Sequence, residues 1–381
     1  MGKFFIIFFL YHLFRAFFIG VTTPPVEGDS LAYHIPIAQE MWNGGLFHPK
    51  DILHFYPSVG EAILSIFYLF HIPANIFNVV GTILLFLATR ILGKQSGLKN
   101  ELPTIFAVAV CLLPITLRWI NTQVIDVWLA IFFVWSLVLL QKPKKSAKYY
   151  LLLGTSLGLL IGIKNSGPVF AALLLVVYWE KIKRYLQPKN VFNFAIPVSI
   201  LGIFWYVRNV FLVGNPLYPQ AVLGLKGAPN WDILKWRVGE IAIWYPDKIF
   251  NALISEYMVW SIAVIVPLIF IRYVHDNSDI RKLLLIGYAN LLFFLFLPTS
   301  PEYSIIVSSF RYAYPMIIPL MLVTFFILQR IKKEKIIMLL SLANILFLPG
   351  YEYQPKLLFI FLVGVLLYFH KHDKATNNSV F

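Results

Sequence analysis

The sequence is poor in charge. Only 13% of its 381 residues are Asp, Glu, Lys or Arg, about half the share of an average soluble domain. A water-soluble chain of this length could not cover its surface with so little charge, and 59% hydrophobic residues exclude intrinsic disorder. The sequence is nearly without cysteine. Cys111 stands alone in an apolar run, so no intrachain disulfide and no thiolate metal cluster can form, and a buried thiol there serves as a small apolar side chain. Acidic charge is scarcer still than basic charge: 18 Asp and Glu face 32 Lys and Arg, a net +14. In a soluble protein that excess would suggest nucleic acid. Here the basic residues must first be placed relative to a membrane, and no nucleic-acid partner is expected. Familiar catalytic signatures are missing. The glycines that lead to Lys164 lack the spacing and the following hydroxyl of a P-loop, and there is neither an HExxH pair nor a GxSxG elbow. His34, His48, His54 and His71 share one region but match no zinc spacing. No internal repeat or low-complexity tract is present.

Long apolar stretches are what the chain does have. Twelve approach the roughly 17–25 residues of a membrane span, near 4–20, 74–92, 103–120, 126–141, 148–163, 166–180, 191–212, 252–271, 283–298, 313–329, 336–349 and 356–370. A thirteenth, 57–71, holds Glu61 and ends in His71 and Pro73. Basic clusters decide its status. Lys94/Lys99, Lys142/Lys144/Lys145/Lys148, Lys181/Lys183/Arg184/Lys189, Arg281/Lys282, Arg330/Lys332/Lys333/Lys335 and Lys371/Lys374 all fall on the cytoplasmic side, with both termini, if 57–71 does not span. The expectation is therefore an all-α polytopic protein of the plasma or inner membrane. It has about twelve transmembrane helices over residues 1–370, a cytoplasmic tail at 371–381, and 57–71 in or dipping into the interface. The first span reads as an uncleaved anchor.

Two loops are long, 21–73 and 213–251, and both are expected to be external. Loops of that length are more often functional than structural. Residues 30–43 predict a surface helix with Leu31, Ile35, Ala38 and Trp42 on one apolar face and Gly44-Gly45 as its stop. Trp231, Trp236, Trp244 and Tyr245 suit a second-loop segment resting among lipid headgroups.

A charge inside or at the edge of a span is a functional candidate. Arg15, Asp126, Lys164, Arg208 and Arg311 qualify, with Arg118 nearby, and all lie toward the outer half of the membrane. A single basic residue at a boundary is usually a snorkelling anchor. Several at one depth, beside two long external loops that carry Glu27 and Asp29, suit another task. They would hold a phosphate or diphosphate, strongly in a low dielectric, while a carboxylate takes a proton.

The motifs that line up with these charges resemble the GT-C glycosyltransferases, the superfamily that includes protein O-mannosyltransferases and the aminoarabinose transferases of lipid A. Glu27-Gly28-Asp29-Ser30-Leu31-Ala32-Tyr33-His34-Ile35-Pro36 resembles their first external loop, and Phe55-Tyr56-Pro57-Ser58-Val59-Gly60 the start of a juxtamembrane helix. Asp126 stands where these enzymes carry a second acid. Gly158-Leu159-Leu160-Ile161-Gly162-Ile163-Lys164 resembles their Gly-rich span ending in Lys. Arg208-Asn209 and Gly214-Asn215-Pro216-Leu217-Tyr218-Pro219 resemble the start of the second large loop, and Phe310-Arg311-Tyr312 with Pro315 a late Arg-Tyr motif. The matches keep their order over residues 20 to 320.

The resemblance implies a membrane glycosyltransferase that moves a sugar from a polyprenyl-phosphate donor to a hydroxyl on a lipid, glycan or protein acceptor at the outer face, with inversion. It implies Asp29 as general base. Lys164, Arg208 and Arg311 neutralise the leaving phosphate, and Asp126 orients a basic residue, the acceptor or a metal. Glu27, Tyr33, His34, Tyr56, Asn215 and Tyr218 belong to the substrate pocket. No organic cofactor is called for, and a divalent metal is compatible with the set. A lipid or glycan transporter or flippase is the rival reading. It predicts repeat symmetry and charges near the bilayer midplane, and neither is seen. A ligase using a diphosphate donor is a rival within the enzyme class, and a non-catalytic assembly subunit is a third.

Overall fold

The computed structural model describes residues 2–346 apart from 145, 186, 223 and 230–234. The expected last span at 356–370, the tail at 371–381 and Trp231 lie outside the described residues. Nearly every described element is helical. The one sheet among them is a short antiparallel ladder, Trp236–Arg237 against Pro298–Thr299, inside and beyond a stretch that the sequence predicts as loop.

Five helical stretches are long and apolar enough to cross a membrane: Gly2–Thr22, Ala74–Gln95, Asn190–Val213, Pro246–Ile269 and Tyr303–Arg330. The chain is an integral membrane protein. Other expected spans are shorter or interrupted. The 103–120 stretch is two helices, Leu102–Cys111 and Pro114–Arg118, because Pro114 has no N–H to continue the ladder. Pro246–Ile269, which carries the expected 252–271 span, also passes through a 3-10 segment, Met258–Val264, before a short helix restarts at Val266–Ile269 around Pro267. The 57–71 stretch holds the helix Val59–Leu69, 11 residues long. It reaches about 16 Å, half of the roughly 30 Å hydrocarbon core.

The core surrounds the helix Tyr314–Arg330, in which every residue from Tyr314 to Leu328 is buried. The helices Leu102–Cys111, Asp126–Gln141 and Ser278–Leu295 pack on it. A helix that is apolar all round belongs at such a centre. By contrast, the stretch Asn190–Val213 shows Phe192, Ile200 and Phe211 to the outside, as a lipid-facing helix would. It is held by a glycine stripe. Gly154, Gly158 and Gly162 recur every four residues on Ala147–Ile163 and so share one face. A Cβ on them would lie 2.3, 2.6 and 2.1 Å from the carbonyl oxygens of Phe194, Pro197 and Leu201. The two helices touch backbone to backbone, the small-residue mode of membrane packing.

The first loop corrects one expectation. The chain is helical from Ser30 to Gly45, but as a π-helical turn Ser30–His34, an α-helix Ile35–Glu40 and a second π-helical turn Met41–Gly45. The wider turns rotate the ends out of the 3.6-residue register. Ile35 and Ala38 are buried as predicted, whereas Leu31 and Trp42 are exposed. Ser30, His34 and Ile37 take the inner face instead. This helix packs against Val59–Leu69, and Trp42 donates its Nε1–H to Ser65 Oγ at 3.0 Å.

Candidate active site

Four charged side chains meet at one end of the bundle, and each stands at the end of an element. Asp126 opens the helix Asp126–Gln141, where the positive end of the helix dipole favours an acid. Lys164 closes the next helix, Ala147–Ile163, in extended backbone, where a cation is favoured. The two helices are antiparallel neighbours joined by a short turn, so the start of one and the end of the next lie together. Arg311 sits in the 3-10 turn Phe310–Ala313 that leads into the central helix. Asp29 is the residue before the π-helical turn of the first loop.

Their geometry is a chain of alternating charge. Arg311 donates from one terminal nitrogen to Asp29 Oδ2 at 2.7 Å, and its Nε lies 3.5 Å from Asp126 Oδ2. Lys164 Nζ donates to the other oxygen of Asp126, Oδ1, at 2.8 Å. Two cations thus balance two carboxylates. Aromatic faces enclose the cations: Lys164 Nζ is 3.7 Å from the Tyr312 ring centroid, and the Arg311 guanidinium lies 5.4 and 5.6 Å from the rings of Tyr312 and Trp119. Asp126 is 3% exposed and Asp29 39%, so Asp29 is the carboxylate that solvent and a substrate can reach. Partial burial raises the Asp29 pKa. Arg311 lowers it, with smaller help from His34 and Lys164, and the net value falls below that of an ordinary carboxylate. Tyr33 is driven the other way, by burial first and then by Asp29, so its phenol stays neutral.

The turn that presents Asp29 is tightly built. Glu27 accepts from the backbone N–H of Asp29 at 3.0 Å and from the N–H and hydroxyl of Ser30, both at 2.6 Å. Ser30 Oγ in turn accepts from the Gln123 N–H at 3.0 Å. Both Glu27 oxygens are thereby occupied in shaping the loop, not in meeting a ligand. His34 is buried with Nδ1 2.6 Å from Glu61 Oε1, and the Tyr33 ring lies 4.0 Å from its imidazole.

The remaining expected residues are placed apart from this cluster. Arg208 donates to the carbonyl oxygens of His54 at 2.9 Å and Leu46 at 3.4 Å, and to Asn209 Oδ1 at 2.9 Å. Asn209 Nδ2 donates to Phe55 O at 2.7 Å. This pair fastens the first loop to the Asn190–Val213 helix. Asn215 holds its own loop, donating to Gln220 O and Lys226 O and accepting from the Leu217 N–H. Tyr218 meets Phe55 edge to face at 4.8 Å. Tyr56 is half-buried, and its hydroxyl lies 3.5 Å from Gln220 Nε2. Gln220 also accepts from Asn165 Nδ2 at 2.8 Å. Arg118 pairs with the fully buried Glu256, and Arg15 lies on the Gly2–Thr22 helix close to His12. Among the described residues, no group of three or more His, Cys, Asp and Glu side chains could hold a metal ion. Residue-type reasoning missed Trp119 and the His34–Glu61 contact. The Arg311-Tyr312 doublet and the acid in the first turn of Val59–Leu69 were the available signals.

No protein-family model matches this sequence, and no curated protein matches it in sequence. The fold does have a counterpart. The crystal structure of ArnT from Cupriavidus metallidurans in the apo state matches with a TM-score of 0.63 and 13% identity, over 90% of this chain and 62% of that one. The chain has an ArnT-like fold. It spans a little under two thirds of the length of the ArnT chain it matches. This likeness bears out the expected fold class, a polytopic helical membrane protein.

Proposed function

We propose that this protein is a GT-C-type glycosyltransferase that takes a sugar from a polyprenyl-phosphate donor and passes it to a hydroxyl acceptor at the outer membrane interface. The observation that carries the reading is the Asp29–Arg311–Asp126–Lys164 chain at the mouth of an ArnT-like bundle. Two donors there, Arg311 Nε and Trp119 Nε1, are buried without a hydrogen-bond acceptor. A phosphate oxygen supplies what such donors lack.

In this mechanism Lys164 and Arg311 hold the donor phosphate and stabilise the charge that grows on it as the glycosidic bond breaks. Asp29, the exposed carboxylate, removes the proton of the acceptor hydroxyl. The hydroxyl oxygen attacks the anomeric carbon, the C–O bond to phosphate breaks with its electron pair leaving on the phosphate, and the configuration inverts. Asp126 stays buried and orients both cations. Tyr33 flanks the sugar, while Glu27, Tyr56, Arg208, Asn215 and Tyr218 act through the loops they hold. The acceptor is a lipid, glycan or protein hydroxyl. We place the site on the external, periplasmic side of a twelve-span topology with both termini in the cytoplasm, on the strength of the basic clusters.

The test is release of polyprenyl phosphate from a panel of polyprenyl-phosphate sugars by protein in lipid, compared with Asp29→Asn. Release by the wild type and its loss in the variant are expected. Equal turnover by both removes Asp29 from the mechanism, and release of a diphosphate carrier moves the donor class.

A further inference from the structure

Arg311 has two tasks. In the proposed reaction it turns to the donor phosphate, yet it is also the side chain that holds the Asp29 carboxylate, at 2.7 Å. While Arg311 works on the phosphate, other contacts must keep the base in place. The turn around Asp29 supplies them. The Asp29 N–H donates to Glu27 Oε1 at 3.0 Å, and Glu27 Oε2 accepts from the N–H and the hydroxyl of Ser30, both at 2.6 Å. The Ser30 hydroxyl uses its one hydrogen on Glu27, so toward its second neighbour it is an acceptor, taking the Gln123 N–H at 3.0 Å. Ser30 and Gln123 are both 0% exposed and lie 93 residues apart in the chain.

Gln123 stands three residues before Asp126, and its segment is fixed from the other side as well. The fully buried Asn78 donates from Nδ2 to the carbonyl oxygens of Trp119 at 3.1 Å and Val124 at 2.8 Å. Gln123 Nε2 donates to Asn75 Oδ1 at 2.8 Å, and Asn75 Nδ2 donates to Thr23 O at 2.8 Å. One frame thus carries three groups that meet Arg311. Asp29 hangs from it through Glu27 and Ser30, and Trp119 and Asp126 through Asn78 and Gln123. None of these bonds involves Arg311. Buried hydrogen bonds of this kind rigidify what they join, and a shift of about 1 Å in a reacting group costs about 10²-fold in rate.

We propose that Ser30 is a positioning residue for the transfer. Its hydroxyl ties the turn of the base to the segment that presents Trp119 and Asp126, so Asp29 keeps its place when Arg311 exchanges the carboxylate for a phosphate oxygen. Ser30 is fully buried and acts through Asp29. The inference rests on the transfer reading above and deepens it, by separating what holds the base from what holds the phosphate.

The test uses the full chain in lipid nanodiscs, first by amide hydrogen exchange. Ser30→Ala removes the acceptor of the Gln123 N–H and should speed exchange about 3- to 10-fold, the effect of losing one hydrogen bond, in both 27–34 and 119–125. Ser30→Thr keeps the hydroxyl and should restore both segments. Arg311→Gln should leave both as in the wild type. Exchange in 119–125 that Ser30→Ala leaves unchanged overturns the frame, and so does an Arg311→Gln variant that loosens both segments as much as Ser30→Ala. These measurements need no donor, so they stand apart from failure of the transfer reading. With a donor in hand, Ser30→Ala should lower kcat of the folded protein about 10- to 100-fold and leave KM for the donor unchanged, because the base moves and the phosphate cradle does not. Ser30→Thr should recover kcat. A raised KM with kcat unchanged overturns the positioning role, as does a lowered melting temperature with kcat of the folded protein unchanged. Glu27→Gln, which keeps the size of the side chain and withdraws one acceptor oxygen from the turn, serves with the same expected split if Ser30→Ala does not fold.

Discussion

Two enclosed arginines, Arg311 and Arg208, stand at similar exposure in this protein, and their partners could hardly differ more. Arg311 meets two carboxylates and two aromatic faces. Arg208 meets carbonyl oxygens, two from the backbone of the first loop and one from the neighbouring Asn209 side chain, with the Trp205 ring 5.2 Å away. A guanidinium surrounded by carbonyls is a staple, because each acceptor belongs to the fold and none is offered by a ligand. A guanidinium between two carboxylates, one of them open to solvent, can exchange a protein oxygen for a phosphate oxygen without losing its charge balance. The sequence expects both at one membrane depth, so depth does not tell them apart. The chemistry of the partners separates them.

The widest separation is expected from paired substitutions. Arg311→Gln should lower transfer about 10²- to 10³-fold, the cost of losing a main donor to the developing phosphate charge, with a modest loss of stability. Arg208→Gln should do the reverse. It leaves loop carbonyls unsatisfied at a cost of about 2–3 kcal/mol, while turnover of the folded protein stays within about threefold. Thermal unfolding in detergent together with donor turnover checks both. If Arg208→Gln silences a fully folded protein, Arg208 belongs to the site and the contrast collapses.

A smaller effect sharpens the same contrast. Asn209→Ala removes the bond to Phe55 O at 2.7 Å and should cost about 1–2 kcal/mol. It should also raise amide exchange around residues 46–56 while leaving exchange near Arg311 unchanged. The smallest effect is the pH dependence of the Asp29–Arg311 pair. Asp29 has a lowered pKa in the fold, so its stabilising contribution is fully present above the unfolded value near 3.9. It is lost as pH falls through the lower folded value. The melting difference between wild type and Asp29→Asn should therefore be flat from about pH 7 to 5 and shrink below about pH 4. Asp29 is 39% exposed, which keeps the difference under about 1 kcal/mol. A gap that instead widens toward acid would mean that Asp29 is not held by Arg311.

Much of the candidate site was legible in the order of the residues. Asp126 and Lys164 open and close consecutive apolar helices, so an up-and-down path alone brings them to the same end. Asp29 and Arg311 were visible as charges beside apolar runs at the same depth. The partition of labour was not legible. Glu27 and Asn215 are polar residues in external loops, the usual address of ligand contacts, yet both are used on backbone amides and carbonyls of their own turns. The stripe Leu31, Ile35, Ala38, Trp42 assumed a uniform α-helix. The two π-helical turns broke that register and turned His34 inward to Glu61. No periodicity in the sequence announces a π-helical turn, because it is set by how the segment is seated on Val59–Leu69.

By itself the sequence determined the solvent and the helical class, and it set the sidedness expected of the loops and the level expected of the charged groups. These follow from composition and from distance along each helix, since a fixed rise per residue converts sequence position into depth. Only the tertiary structure decided which groups at that level meet. The azimuth of a side chain and the identity of its neighbour depend on how helices pack. Here the glycine stripe of Ala147–Ile163 and the loops fastened by Arg208 and Glu27 set that packing, leaving Arg311 between Asp29 and Asp126 and Arg208 among carbonyls.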